Sequence, residues 1–229
     1  MRMSKTIPGL LVVVMLCAAC TGNQSEGTVP ADTRPTTDTV AATAKTKTIL
    51  FFGNSLTAGY GVEPEQAFPA LIGQKIDSLD LPYTVVNAGV SGETSAGGNS
   101  RVDWILRQPV DVFVLELGAN DGLRGIPVTE TLKNLQSIID KVKAKYPSVQ
   151  LVLTGMQVPP NMGQQYATDF RALFPALAKK NKMTLVPFLL EGVGGEARLN
   201  QQDGIHPTPE GHRIVAQNVW QYLGPLLQQ

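Results

Sequence analysis

From Lys47 onward, short apolar runs alternate with longer stretches in which apolar residues recur every three or four positions. The runs at 48–52, 84–87, 111–117, 150–154 and 184–186 are each too short for a core helix and several are near-continuous in Val, Ile, Leu and Phe, so they predict five strands covered on both faces. The stretches at 64–79, 95–107, 128–146, 164–181 and 209–227 predict helices, with Pro64, Pro127 and Pro209 marking first turns. In 128–146, Leu132, Leu135, Ile138, Ile139 and Val142 form one apolar stripe, leaving Lys133, Lys141 and Lys145 for water. Strand and helix in alternation predict repeated βα units and a mostly parallel sheet.

Ahead of this domain the pattern changes twice. Arg2 and Lys5 precede an apolar run from Leu10 to Leu16 and then Cys17-Ala18-Ala19-Cys20, the pattern of an export signal over residues 1–19. Cys20 at the small-residue boundary resembles the lipobox of bacterial lipoproteins, although Cys17 stands where that box usually has Leu. The resemblance implies cleavage before Cys20 and lipidation of its thiol. Because Thr21 is not an inner-membrane retention aspartate, the expected location is the periplasmic face of the outer membrane. Residues 20–46 continue with Thr, Ala, Ser, Pro, Gly and Asp, and Val29 and Val40 are the only large apolar residues from Thr21 on. Such a segment buries too little to offset ordering and reads as a tether to the domain at 47–229.

Composition narrows the rest. With 229 residues, 43% hydrophobic and 17% charged, the chain supports one ordinary core. Removing Arg2 and Lys5 leaves 17 basic against 19 acidic residues, a net charge of 17 − 19 = −2, so nucleic-acid binding is not suggested. Both cysteines lie in or beside the signal, leaving none for a disulfide, a metal site or a thiol nucleophile.

The candidate chemistry sits where strands end. Ser55 follows the first strand by two residues and reads either as an exposed nucleophile or as a helix N-cap. His206 is the expected base, since His212 falls inside the last helix and is assigned to structure. Asp203 lies three residues before His206, a spacing at which a tight turn brings a carboxylate to Nδ1 and leaves Nε2 free to take a proton; the bland reading is an Asp-Gly turn beside a surface histidine. A reacting ester also needs donors for a developing oxyanion. The candidates are the Ser55 N–H, Gly92 after the second strand and the Asn120 amide after the third, against simple turn roles for Gly92 and for Asn120-Asp121-Gly122. Pro159-Pro160 and Gly163 suggest a loop over 156–166, with Met156, Val158 and Met162 as a mobile acyl-binding wall.

Ser55, Gly92, Asn120 and His206, with Glu116 to Gly125 and Asp203-Gly204-Ile205-His206-Pro207, resemble the SGNH hydrolases, the GDSL esterases and lipases, and their thioesterase I/lysophospholipase L1 and arylesterase branch. The resemblance covers Lys47 to the C-terminus. It implies a flavodoxin-like three-layer α/β/α sandwich with a five-stranded parallel sheet, hydrolysis of esters or thioesters through an acyl-serine, and no metal or organic cofactor. It assigns Ser55 as nucleophile, His206 as general base and then acid, and Asp203 as its orienter. Asn54 stands where the family usually has Asp; Asn keeps an acceptor for the turn and removes the charge. A monomer acting on small acyl substrates is expected, with a carbohydrate O-deacetylase and a noncatalytic ligand-binding protein of the same fold as alternatives.

Overall fold

The computed structural model describes residues 46–228; the signal, lipidation and tether expectations for residues 1–45 lie outside it. Five parallel strands, β1 (Lys47–Gly53), β2 (Tyr83–Gly89), β3 (Val112–Glu116), β4 (Gln150–Thr154) and β5 (Thr184–Val186), pair in the order β2-β1-β3-β4-β5. Burial follows this order. All five residues of β3 and the last five of β1 are buried, whereas β2 and the three-residue β5, at the two edges, are mixed.

Seven α-helices complete the described chain: α1 (Ser55–Ala58), α2 (Phe68–Ser78), α3 (Ser95–Ile105), α4 (Ala119–Leu123), α5 (Val128–Lys145), α6 (Gln164–Asn181) and α7 (Pro209–Leu227). Helix α2 packs with α7, while α3 packs with α5 and α5 with α6, giving two helical layers around the sheet. The pleat of β1 serves both layers. Phe51 meets Phe68 of α2 edge-on at 5.6 Å, and its neighbour Phe52 points the other way, 5.5 Å from Phe113 and beneath Arg101 of α3. Burial of each such side chain contributes about 1.5–3 kcal/mol. The expected α/β/α sandwich is therefore present.

Three local departures have physical causes. The predicted helix at 64–79 begins as a 3-10 turn, Pro64–Gln66, and restarts at Phe68, because Pro69 in a continuous helix would clash with the carbonyl four residues back. Two short helices, α1 and α4, form where the sequence pattern predicts no helix; α1 begins at Ser55 with Asn54, not Ser55, as its N-cap, and α4 covers the Asn120-Asp121-Gly122 segment for which a turn is one reading. In α5, Thr131 takes a place on the buried stripe and Leu132 is 38% exposed, since residues 131, 135, 138 and 142 share the inward face and 132 is rotated off it.

The chain passes from β1 to β2 on one side and then crosses to β3 on the other, so β1 and β3 diverge at a switch point whose carboxyl edge forms a crevice. Helix α1 sits at this edge, pressed against the end of β2. A Cβ on Gly89 would lie 2.2 Å from the Ala58 amide nitrogen and 2.7 Å from its Cα, both backbone atoms that cannot turn aside. Gly89→Ala is therefore expected to cost about 1–3 kcal/mol in urea unfolding. Gly73→Ala, in α2 with nothing nearer than 3.6 Å, is expected to gain up to about 1 kcal/mol.

Candidate active site

Ser55 is the first residue of α1, and the sequence around it explains how a polar residue comes to be held there. Asn54 caps the helix, its Oδ1 accepting from the Leu56 N–H at 2.9 Å. Its amide nitrogen donates to Glu116 Oε1 at 2.7 Å and its backbone N–H to Glu116 Oε2 at 3.0 Å. Thr57 adds its hydroxyl at 2.8 Å and its N–H at 3.3 Å to Oε2. Four donors from 54–57 thus converge on one carboxylate at the end of β3. The Ser55 N–H belongs to the first-turn amides that a helix leaves without an internal acceptor.

His206 arrives on the loop before α7. That loop is closed by the Asn200–Pro207 bridge, by Gln201 N–H to the His206 carbonyl at 2.7 Å and by Gln201 Nε2 to the Tyr60 carbonyl at 2.7 Å. His206 Nε2 lies 2.8 Å from Ser55 Oγ and Nδ1 lies 2.7 Å from Asp203 Oδ2. Asp203 Oδ1 accepts the Ile205 and His206 N–H groups at 3.0 and 3.1 Å. The imidazole bond first, then these amides, hold the Asp203 carboxyl down to about 2. The Tyr60 ring lies 4.6 Å from the imidazole and tilted across it.

A cavity of about 560 Å³ opens beside this relay, lined among others by Ser55, Gly92, Asn120, Met156, Val158 and His206. Serine, histidine, the two loop donors and two of the three proposed acyl-wall residues therefore share one space. Met162 does not line it. The 3-10 turn Pro160–Met162 carries that side chain toward Gly125 instead. Phe188, Leu190, Leu123 and Ile205 add apolar wall that sequence spacing did not single out. Among the described residues, no group of three or more His, Cys, Asp or Glu is placed to hold a metal ion.

Two buried groups near the site titrate abnormally. Burial pushes Glu116 up to about 7, against the pull of its four donors. Burial likewise pushes His212 down to about 4, with the His206 charge adding to the effect; its Nδ1 accepts the Phe68 N–H at 3.3 Å, a structural role.

A serine hydroxyl bonded to a histidine that is itself oriented by a carboxylate, inside a largely apolar cleft, defines a serine hydrolase site. Residues 51–214 match the GDSL-like Lipase/Acylhydrolase family. "Esterase TesA" of Pseudomonas aeruginosa is 40% identical over 185 residues, 80% of this chain and 91% of that protein. A crystal structure of TesA, also 40% identical, superposes with a TM-score of 0.75 over 79% of this chain and 99% of its own. "Thioesterase 1/protease 1/lysophospholipase L1" of Escherichia coli K12 is 38% identical over 185 residues, 80% and 86% of the two chains, and "Arylesterase" of Vibrio mimicus 36% over 184, 80% and 91%. The chain belongs to the GDSL-like lipase/acylhydrolase family, and it is an ester-hydrolysing serine hydrolase.

The two abnormal groups act on stability with opposite signs. Between about 4.5 and 7 the native state holds more protons at Glu116 than the unfolded chain, so this contribution falls as pH rises. Between about 4 and 6.5 the unfolded chain holds more at His212, so that contribution rises with pH. Each amounts to about 3 kcal/mol, and they offset. His212→Gln, whose Oε1 takes the Phe68 N–H, should expose the Glu116 slope: urea midpoints that decline from pH 4.5 to 7, where the wild type stays nearly flat. A flat profile in the variant would contradict the opposition.

Asn54→Asp sets a second carboxylate about 2.7 Å from Glu116 Oε1, where both cannot ionise and one proton must be shared. The variant is expected to hydrolyse esters near neutral pH and to lose activity reversibly as that proton leaves at alkaline pH. The neutral Asn54 amide spares the wild type this loss, which pH–rate profiles of the two proteins would display.

Proposed function

We propose that this protein is an exported, membrane-tethered esterase that cleaves carboxylic esters or thioesters, including aryl and lysophospholipid esters, through an acyl-Ser55 intermediate. The observation that carries the reading is the continuous Ser55–His206–Asp203 relay, with links of 2.8 and 2.7 Å, at the wall of an apolar cavity. Neutral His206 takes the Ser55 proton at Nε2 as Oγ bonds to the acyl carbon. Asp203 accepts from Nδ1–H and stabilises the resulting imidazolium. The tetrahedral oxyanion is met by the N–H groups of Ser55 and Gly92 and by the Asn120 amide. On collapse the carbon–oxygen or carbon–sulfur bond breaks, and the leaving alkoxide or thiolate receives the proton from Nε2. Water then repeats the sequence on the acyl-enzyme, with its proton passing to His206 and back to Ser55 Oγ as the carboxylic acid departs.

Met156, Val158, Phe188 and Leu190 favour acyl chains longer than acetyl. Cys20 would carry the lipid and residues 21–46 the tether, supported by the signal pattern in the sequence.

A panel of p-nitrophenyl esters and acyl thioesters from acetyl to palmitoyl, run beside Ser55→Ala, tests the reading. Expected are a preference for medium chains, labelling of the wild type by a fluorophosphonate, and a loss of at least about 10⁴ in kcat with Ser55→Ala. Preference for acetyl would favour a carbohydrate O-deacetylase, and no labelling with no turnover would favour a noncatalytic binding protein.

A further inference from the structure

The loop from β2 to α3 is braced by a charged pair that none of the steps above employs. Gly92 lines the cavity with φ of +78°, and the turn around it is closed by the Glu93 N–H on the Val90 carbonyl at 3.1 Å. Glu93, the next residue, is tied at both ends. Its main-chain carbonyl accepts Asn120 Nδ2 at 3.0 Å, which engages one of the two amide hydrogens and leaves the other for a ligand. Its carboxylate, 6% exposed, receives Arg101 Nε at 2.5 Å and Nη2 at 2.6 Å, a two-pronged bond.

Arg101 is fixed in turn. Nη2 also donates to the Ala88 carbonyl at 2.7 Å near the end of β2, and the guanidinium lies 4.1 Å over the Phe52 ring of β1. A path therefore runs from β1 and the edge strand β2 through Arg101 and Glu93 to Gly92 on one side and Asn120 on the other. A buried acid on a loop that needs only a turn is otherwise costly, because its charge must be taken out of water. Its placement between two donors accounts for it.

We propose that Glu93 is a positioning residue: clamped by Arg101, it sets the separation of the Gly92 N–H and the Asn120 amide, so that both meet one developing oxyanion. The inference rests on the oxyanion roles proposed above. A displaced donor weakens transition-state binding and leaves ground-state binding in the apolar cavity almost untouched.

The test is steady-state hydrolysis of p-nitrophenyl octanoate by wild type, Glu93→Gln, Arg101→Lys, Asn120→Ala and Glu93→Gln/Asn120→Ala, with thermal unfolding of each. Glu93→Gln should lower kcat about tenfold or more, with KM within about twofold. Arg101→Lys, which keeps the charge and loses the planar fork, should shift kcat in the same direction. In the double variant the loss should be smaller than the product of the single losses, because Glu93 acts partly through Asn120. An unchanged kcat in Glu93→Gln and Arg101→Lys, a change confined to KM, or single losses that multiply in full would overturn the proposal. Failure of the acyl-serine reading shows elsewhere: Ser55→Ala would then retain turnover, whatever Glu93 does.

Discussion

The site depends on one buried carboxyl group. Glu116 ends β3 and gathers the backbone and side-chain donors of Asn54 and Thr57, so the turn that follows β1 is fastened to the strand beside it. Four hydrogen bonds converge on this carboxyl group, each strengthened when it ionises, and they hold a four-residue helix that would not persist alone. Without that fastening, Ser55 would ride on a free turn. With it, the hydroxyl is pinned at the switch point of the sheet and only the loop before α7 remains to be brought up.

That second loop is built on different physics. Short-range backbone closure comes from the Asn200–Pro207 bridge and the Gln201 N–H on the His206 carbonyl, the Gln201 side chain ties the loop to the distant Tyr60 carbonyl, and Asp203 uses one oxygen for the loop's own amides and the other for the imidazole. The acid is half-exposed and remains ionised easily, whereas Glu116 is sealed and titrates high. The two carboxyl groups thus serve unlike ends: one shapes the scaffold under the nucleophile and the other orients the base.

Much of this was legible beforehand, for identifiable reasons. Strands β1, β3 and β4 are doubly covered and read as unbroken apolar runs, and the spacing of Asp203 and His206 specifies their contact because it spans a single turn. The helix boundary at Phe68 was hidden, since apolar periodicity continues through the Pro69 break. Leu132 was misplaced because a stripe of spacing three and four tolerates a residue one position off its centre, and Met162 because proximity along a loop says little about where a 3-10 turn directs a side chain. The partners of Glu93 and Glu116 lie on other elements, so no local pattern marks them; a charge standing in or beside an apolar strand end was the one available sign.

Parallel strands give the molecule two unlike poles. Thr46 enters at the start of β1, and Ser55 follows that strand's end, about 20 Å away across seven residues. A surface joined directly at Thr46, with no spacer between, would hold the folded domain from the end of the sheet opposite Ser55. Immobilised through that side, the protein would present its cleft outward to approaching molecules instead of pressing it against the support.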